Sequence, residues 1–465
     1  MVRRIAVCVV AALLAGCSMT PAYHRPSLPM PNAFDGAIDT ASLGTTVPVR
    51  SGWWRAYHDP ALDALIDASL AHNYSLASAI AAVEQARGTA EKAGAAQYPS
   101  LGVGATFDRA HQGGHGGSNT RSQSLFAEAS YEIDFWGLNA ATANSSTMLA
   151  RASAFDRDTV ALTLTASVVD TYFEVQSLQR RLAIARSIAH DAERVLELLL
   201  AQQSAGVATE LQVQQQRNAL ATFQAAVPSL QQQLEIAQHA LAVLAGSAPE
   251  QFAVQEVDLN GIPIPQARAD LPSSLLDARP DIRAKEAQMQ SANFDVGAAH
   301  AAFMPNIVLT ADGGWKSKSL SNFLASPFAS LAASLAAPVF DGGALRGQLH
   351  AAQGAAAKSV ADYRQTVISA LQDVEDSLTV ARQQALAEAA DRAAADAAAK
   401  AAMLAEAQYR SGTVDFLTVL DAQRTRSQAE DTLIQARLAR LQASVSLFRA
   451  FGGGIELTAS PNSSS

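Results

Sequence analysis

The residues that could carry covalent or metal chemistry are few in this chain of 465 residues. It has two cysteines, Cys8 and Cys17, and nine scattered histidines. His111 and His115 could suggest a metal site, but they lie in a polar, glycine-rich stretch for which a solvated surface loop is the better interpretation. The sequence has no glycine-rich phosphate loop, no His-Glu metal pair on one helix face and no nucleophile elbow. We therefore expect no catalytic residues, no metal and no dissociable cofactor.

Cys17 follows a segment that has the three parts of a secretory signal. A basic start precedes an apolar run over residues 5–15, which is too short to span a bilayer, and Ala15 and Gly16 come directly before Cys17. This order resembles the bacterial lipobox, which implies cleavage after residue 16 and lipidation of the Cys17 thiol. A signal without lipid and a buried structural cysteine are the alternatives. Three acyl chains would exceed the roughly two signals that stable membrane anchoring needs.

The composition favours a helical secreted protein without thiol chemistry. Once the signal is removed, Cys8 is lost and Cys17 is blocked by lipid, which leaves neither a free thiol nor a disulfide. The formal net charge of −9 argues against nucleic-acid binding. Only 6% of the residues are aromatic, and abundant alanine, glutamine and leucine favour long helices. No run of about 20 apolar residues follows the signal, so the sequence offers no membrane-spanning helix.

The sequence repeats itself at an offset of 205 or 206 residues. Tyr98-Pro99-Ser100-Leu101 matches Met304-Pro305-Asn306-Ile307, and the further matches are Leu76 with Ile282, Gly137 with Gly342, Val169 with Val374, Gly206 with Gly412, Leu211 with Leu417 and Val213 with Val419. We therefore predict two structural copies. The expected divisions are a signal at 1–16, an N-terminal anchor and extended segment at 17–60, repeat one at 61–250, a linker at 251–274, repeat two at 275–451 and a polar tail at 452–465.

Both copies have the same predicted order of elements. A helix comes first, two strands follow, and a long helix and a return helix complete the unit. The predicted helices are Ser75–Gln97, Leu138–Ser204 and Thr209–Ala245 in the first copy, and Asp281–Ala302, Gln348–Ser411 and Asp415–Phe451 in the second. The first long helix would measure about 100 Å if it is continuous. Apolar residues spaced alternately by three and four between Val168 and Leu199 indicate a coiled-coil seam.

Apolar and polar residues alternate in each predicted strand. The apolar faces hold Leu101, Val103, Ala105 and Phe107; Leu125, Ala127, Ala129, Tyr131 and Ile133; Ile307, Leu309, Ala311, Gly313 and Trp315; and Leu331, Ala333, Leu335 and Ala337. Alternation is typical of membrane barrels, but taken alone it favours a half-buried hairpin of a soluble protein. Four strands cannot close a barrel. If the strands span a membrane, chains must share the barrel, and three chains would supply twelve strands.

The second return helix carries a charged strip close to its first turn. Leu417, Asp421 and Arg424 are spaced by four and three residues, so they lie on one helix face. They follow Gly412, which ends the long helix, as Gly206 does in the first copy. From the spacing alone, an ordinary solvated face is the interpretation we favour. The first copy has Glu210 and Gln214 near its turn and lacks an Asp-Arg pair.

Two segments of the second copy resemble the outer membrane factors, the TolC-like family. They are Tyr-Arg-Ser-Gly-Thr-Val-Asp-Phe-Leu-Thr-Val-Leu-Asp-Ala-Gln-Arg at residues 409–424, and Ala-Arg-Pro-Asp-Ile at 278–282 followed by Lys-Glu-Ala at 285–287. Together with the lipobox and the duplication, they are similar to the NodT-like (OprM-like) lipoproteins that serve resistance-nodulation-division (RND) pumps. The resemblance covers residues 17–455. Ala278 replaces an arginine and Lys285 an alanine of the family pattern.

The resemblance implies a mainly helical fold with a small β part. Three chains would form a twelve-stranded transmembrane β-barrel and a coiled-coil helical tunnel that extends into the periplasm. A periplasmic adaptor and an inner-membrane RND-type or other pump would open the tunnel at its narrow end. The turns at Gly206 and Gly412 would form that end. Leu417, Asp421 and Arg424 would line its gate, with an aspartate ring and Asp–Arg contacts.

We therefore predict a lipid-anchored outer-membrane exit duct that passively conducts small molecules, such as drugs or toxic compounds. Its partners would be two further copies of itself, an adaptor, a pump and outer-membrane lipid, with no nucleic acid. Its one expected non-protein group is the covalent lipid on Cys17. The alternatives are a duct for protein secretion and a lipid-tethered periplasmic coiled-coil scaffold or adaptor, although a scaffold does not readily explain two matched strand pairs. A lipid-anchored hydrolase is a third class, which the missing catalytic set disfavours.

Overall fold

The structure is a computed structural model that describes residues 18–34, 46–47, 51–112, 118–267 and 271–453. The signal segment, the lipidation candidate Cys17, His115 and the end of the polar tail lie outside these residues. Among the described residues, no helix combines the length and the apolar character needed to cross a membrane.

The two copies contain the same long elements in the same order. The first part of the chain holds β1 (Thr46–Val47), α1 (Pro60–His72), α2 (Tyr74–Ala95), β2 (Ser100–Gln112), β3 (Ser118–Ile133), α3 (Leu138–Ser204) and α4 (Glu210–Leu244). The second part holds β4 (Gln266–Ala267), α5 (Leu275–Ala278), α6 (Pro280–Ala301), β5 (Asn306–Ser317), β6 (Pro327–Ala336), α7 (Ala344–Arg410) and α8 (Phe416–Ala450). The predicted mainly helical, internally duplicated fold with four long strands is confirmed.

The predicted helices agree with the structure to within a few residues. The helix α3 has the predicted bounds Leu138–Ser204, and α7 begins at Ala344 rather than Gln348, so that Gly347 lies within its first turn. The helix α1 was not predicted. Its start had a signal, because Asp59 accepts hydrogen bonds from the N–H groups of Ala61 and Leu62, and a proline occupies the first helical position.

The four long strands form one antiparallel sheet in the order β2-β3-β5-β6, so the two copies meet at its centre. The register aligns the predicted apolar residues on one face. Val103 pairs with Ala127, which pairs with Gly313, which pairs with Ala329. That face is open in the single chain, and Leu101, Val103, Phe107, Leu331 and Leu335 are each at least two-thirds exposed. On the other face the hydroxyls of Thr106 and Ser124 lie 2.6 Å apart.

The chain divides into two compact units. The first comprises the described residues within Met1–Leu28, Ala81–Phe155 and Arg283–Thr366, and it includes the four-stranded sheet. The helical part of this unit has a small core of Ala152, Phe155, Ala284 and Ala287, and the Arg283 guanidinium lies 4.2 Å from the centre of the Phe155 ring.

The second unit contains the described residues within Pro29–Ile80, Asp156–Ile282 and Val367–Ser465. Its core is rich in aromatic side chains. Trp53 stacks on Phe448 with ring centres 5.0 Å apart, and Tyr57 meets Phe173 edge-on at the same distance. The Tyr57 hydroxyl lies 2.6 Å from the Ser444 hydroxyl. These contacts fix the segment before α1 against α3 and α8.

Candidate functional site

In each copy one sharp turn joins the long helix to its return helix. The two turns have the same backbone geometry. Gly206 and Gly412 both have φ of 75°, a left-handed conformation that glycine adopts without steric cost. After each glycine, the next N–H returns to a carbonyl of the last helical turn. Val207 donates to Gln202 O and Thr413 to Gln408 O, both at 2.9 Å. We call residues 205–209 and 411–415 the first and second tip turns.

The return helices begin with different caps. Thr209 and Gln212 exchange side-chain and backbone hydrogen bonds in a capping box at the start of α4. At the start of α8, Asp415 accepts from the Thr418 hydroxyl at 2.6 Å and from its N–H at 2.9 Å. These two bonds hold the pKa of the Asp415 carboxyl below its ordinary value. Both caps fix the first helical turn of a return helix beside a tip turn.

A hydrophobic cluster draws on all four helices close to the tip turns. Its buried members are Leu199 of α3, Val213 and Ala219 of α4, Ala405 of α7, and Phe416, Val419 and Leu420 of α8. Gln216 of α4 adds a buried hydrogen bond to α3, since its side-chain amide donates to Ala192 O at 2.7 Å. The two hairpins therefore pack together as one structure at this end of the second unit.

The predicted gate residues lie on the exposed side of α8. Leu417 is 55% exposed, and Asp421 and Arg424 are exposed too, whereas Phe416 and Val419 beside them are buried in the cluster. Among the described residues, neither Asp421 nor Arg424 has a hydrogen bond or ion pair. Their charges are free to meet another molecule.

Arg424 also borders an open groove between α7 and α8. The groove has a volume of about 520 Å³, and its lining includes Asp391 and Ala394 of α7 and Arg424, Thr425 and Gln428 of α8. The presence of Asp391 on the same groove was not apparent from the sequence, since the two residues are far apart in the chain. In the first copy, the Gln214 amide donates to the Glu210 carboxylate at 2.5 Å, so that pair is occupied within its own helix.

Two ion-pair groups between helices were also missed by sequence reasoning. Arg181 of α3 makes a two-point contact with Asp431 of α8, at 2.6 and 3.2 Å. Glu388 of α7 is 2% exposed and contacts the guanidinium groups of Arg392, Arg437 and Arg440. Burial opposes the charge on Glu388, but the three guanidiniums together hold its pKa below the ordinary value. An alanine-rich heptad pattern gives no signal for such cross-helix pairs.

The described residues contain no group of three or more histidine, cysteine, aspartate or glutamate side chains placed to hold a metal ion. What they do contain is a sheet with one apolar face and long paired helices ending in two ordered turns.

The model of the outer membrane efflux protein family matches this chain twice, over residues 65–247 and 271–453. The chain belongs to this family. The pyoverdine export outer membrane protein OpmQ of Pseudomonas aeruginosa is 35% identical over 460 residues, which cover 95% of each chain. The probable outer membrane lipoprotein SilC of Salmonella typhimurium is 29% identical over 454 residues, covering 95% of this chain and 96% of the relative. The outer-membrane channel OprN has a similar solved structure, with a TM-score of 0.88, 29% identity, and coverage of 94% of this chain and 99% of that chain.

Membership of the outer membrane efflux protein family establishes the general function. The chain is the outer-membrane duct of a tripartite efflux system and not an enzyme, as predicted. Its partners are two further copies of the chain, a periplasmic adaptor and an inner-membrane RND-type pump. The predicted location in the outer membrane, with extension into the periplasm, is confirmed as well.

Proposed function

We propose that this efflux duct conducts small organic solutes through a pore closed by three chains. The observation that carries the proposal is the four-stranded sheet. Its outer strands β2 and β6 each have one edge without a partner strand in the described chain, and its apolar face is exposed. Backbone groups on an open edge cannot face lipid, so each β2 must pair with β6 of a neighbouring copy. Three sheets joined in this way give a closed ring of twelve strands.

Small solutes are the favoured cargo on two grounds. The printed name of the relative OpmQ refers to the export of pyoverdine, and the family model that matches the chain is described as that of the outer membrane efflux proteins. The inner face of the sheet presents small hydroxyl and carboxylate groups, such as Thr106, Ser124 and Asp312, rather than a shaped pocket. We infer that substrate choice rests with the pump and that the duct is permissive.

The periplasmic entrance of the duct is assigned to the end of the second unit that carries the two tip turns. Asp421 and Arg424 are exposed and unpaired among the described residues of the single chain, which suits charges that meet a neighbouring copy in the trimer. Three copies would place a ring of aspartates at the entrance, where charge acts directly on passing ions. Leu417, one helical turn before Asp421, narrows the same opening.

Lipid on Cys17 anchors the duct in addition to its strands. The support is the signal-like segment before Cys17 and the relative SilC, whose printed name calls it a probable lipoprotein. Two independent attachments to the same membrane make dissociation from it negligible.

A reconstitution experiment tests the proposed conduit. The full-length protein is expressed with its own signal, purified in detergent from outer membranes and inserted into planar bilayers. We expect trimers that carry discrete single-channel currents, and restored resistance to toxic organic compounds when the chain and its adaptor and pump are returned to an efflux-deficient strain. A monomeric protein without currents would contradict the shared pore. Currents without restored resistance would contradict the assigned cargo.

A further inference from the structure

Two arginines face each other across the strands β2 and β3. Arg109 and Arg121 are direct partners in the antiparallel register, so their Cβ atoms lie about 5 Å apart on the same face of the sheet. Both side chains are exposed, and neither has an ion-pair or hydrogen-bond partner among the residues that the structure describes. Like charges directly opposite each other destabilise a sheet. An anion that contacts both guanidiniums would offset this repulsion.

The arginine pair belongs to the apolar face of the sheet. Side chains alternate between the two faces along each strand, so Arg109 shares a face with Phe107. On the neighbouring strand, Arg121 shares that face with Leu125. Asp108, the carboxylate next to the pair in the sequence, lies on the opposite face for the same reason. The two positive charges therefore continue the surface that the proposed pore turns towards lipid.

The pair lies just beyond the edge of this apolar surface. On β3 the surface begins at Ile133, and the strand runs twelve residues from there back to Arg121. At about 3.4 Å per residue and a strand tilt of about 40°, this length spans about 31 Å across the membrane, whereas the apolar band of a membrane barrel is about 25 Å tall. The Phe107 and Trp315 rings share the face within two register rows of the pair, as expected of an aromatic girdle. The arginines thus reach the depth of the lipid headgroups.

The arginines are at the end of the sheet that points away from the periplasm. The strand β2 begins after α2, and β3 leads into α3, so these ends of the strands are joined to helices. The opposite ends of β2 and β3 are connected directly to each other, as are those of β5 and β6. Because the protein extends from the outer membrane into the periplasm through its helices, the hairpin ends lie at the outer surface. The pair therefore faces the outer leaflet.

The hairpin ends of the sheet are positively charged. Residues 109–122 and 313–328 contain no aspartate or glutamate, although the chain as a whole has a formal net charge of −9. Apart from histidines, their ionisable side chains are Arg109, Arg121, Lys316 and Lys318. A trimer brings twelve such positive charges to this end of the sheet. A region of one sign in a chain of the opposite sign favours a partner with negative charge.

We propose that Arg109 and Arg121 bind the phosphate groups of the phosphorylated glycolipid that forms the outer leaflet of the outer membrane. The inference rests on the proposed pore, since it requires the sheet to span the membrane. A guanidinium presents a planar fork of N–H donors that matches phosphate oxygens, so two of them on adjacent strands suit one phosphate group. The acyl chains of the same lipid cover the apolar face at Leu101 and Val103, which are both 78% exposed in the single chain.

Lipid binding to the purified full-length trimer tests this assignment. Trimers in detergent are mixed with diphosphorylated lipid A or with the same lipid after enzymatic removal of its phosphates, and bound lipid is measured by native mass spectrometry. We expect the parent to bind the phosphorylated lipid at least about tenfold more tightly than the dephosphorylated one. This comparison uses the parent alone, so it does not depend on the folding of a variant.

Three variants locate the site. Arg121→Ala should weaken binding of the phosphorylated lipid roughly tenfold, and its combination with Arg109→Ala should abolish the preference for phosphate. Replacement of both arginines by lysine should retain part of the preference, because lysine keeps the charge but not the planar fork. Lys316→Ala is the matched control for Arg121→Ala. It removes one positive charge near the same end of the sheet but from the opposite face, where Lys316 pairs with Ser124, and it must bind like the parent.

Three results would overturn the assignment. Equal binding of both forms of lipid A by the parent would mean that the acyl chains alone are recognised. An equal loss in Lys316→Ala and Arg121→Ala would mean that the positive ends attract anions without a defined site. Equal affinity for phosphatidylglycerol would mean that the pair does not select the outer-leaflet glycolipid.

Single-channel currents of the same preparations report separately on the pore. A parent that carries currents in planar bilayers but binds both forms of lipid A equally overturns the lipid site and leaves the pore standing. A parent without currents contradicts the pore on which the lipid site rests.

Discussion

Arg279 holds in the second repeat the place that Asn73 holds in the first. The Asn73 amide donates to Leu244 O at 3.0 Å, and the Arg279 guanidinium donates to Ala450 O at 3.1 Å. Each acceptor is the last residue of a return helix, and 171 positions separate donor from acceptor in both copies. Both repeats have therefore kept a side-chain hydrogen bond to the last residue of the return helix. The donor is a neutral amide in the first repeat and a charged guanidinium in the second. Arg279 also binds Asp281 and Asp373.

Replacement of Arg279 should lower the free energy of unfolding more than replacement of Asn73 does. Arg279→Ala removes the cap on α8 and leaves Asp281 and Asp373 close together, which should cost about 2–3 kcal/mol in the free energy of unfolding. Asn73→Ala should cost about 1 kcal/mol. The midpoint of thermal unfolding, followed by circular dichroism in detergent, measures both. Arg87→Ala, which breaks an exposed pair with Glu84, is the control and should change little.

We predict that the glycine after the first return helix, Gly246, cannot be replaced without a large loss of stability, and the reason is steric. Gly246 has φ of 73°, and a Cβ there would lie 2.7 Å from the carbonyl carbon of His72. Gly206 has almost the same φ but open space around it. Gly206→Ala should therefore cost only the backbone strain, about 1 kcal/mol, and Gly246→Ala clearly more. Equal losses of thermal stability in the two variants would contradict the steric argument.

Asp170 makes the stability of the second unit depend on pH. Burial raises the pKa of this carboxyl to about 7, Arg449 opposes the shift, and Glu174 adds to it. Its Oδ1 is buried without a hydrogen-bond partner among the described residues. Because the folded carboxyl binds its proton more tightly than the unfolded one, the free energy of unfolding falls as the pH rises from 3.8 towards 7.

Substitution of Asp170 by asparagine should remove this dependence. Asp170→Asn should stabilise the protein at pH 8 by roughly 2–4 kcal/mol and change little at pH 4. Unfolding midpoints of parent and variant across this pH range provide the measurement. Parallel curves for the two proteins would show that folding does not shift the pKa of Asp170.

The gate assignment predicts a gain of current. If Asp421 and Arg424 hold the entrance of the trimer closed, as proposed, Asp421→Ala or Arg424→Ala should raise the single-channel conductance in planar bilayers. Glu210→Ala is the matched control, because it removes a carboxylate beside the first tip turn and should leave the conductance near that of the parent. Unchanged currents in both gate variants would rule out the proposed role.

The sequence alone predicts the helices and strands whose apolar residues recur at regular spacing or whose run contains no helix-breaking residue. Absence of glycine and proline from Leu138 to Ser204 predicted α3, and alternation of side chains predicted the faces of all four long strands. The pairing of β3 with β5 was beyond such reasoning, because alternation is a property of one strand and contains no information about its neighbour. The contacts of Glu388 with Arg437 and of Arg25 with Glu286 join residues far apart in the chain, and no local pattern specifies them.

The pairing of β3 with β5 also governs the order in which the sheet can be made. Ile133 pairs with Ile307, whereas the β2–β3 and β5–β6 hairpins each join neighbouring segments. Local hairpins close quickly, but a contact across so long a stretch of chain must first overcome a large loss of loop entropy. During export the β3 edge of the first hairpin must therefore stay without its β5 partner until the second half of the polypeptide has crossed the inner membrane. That interval is when a periplasmic chaperone would be most needed.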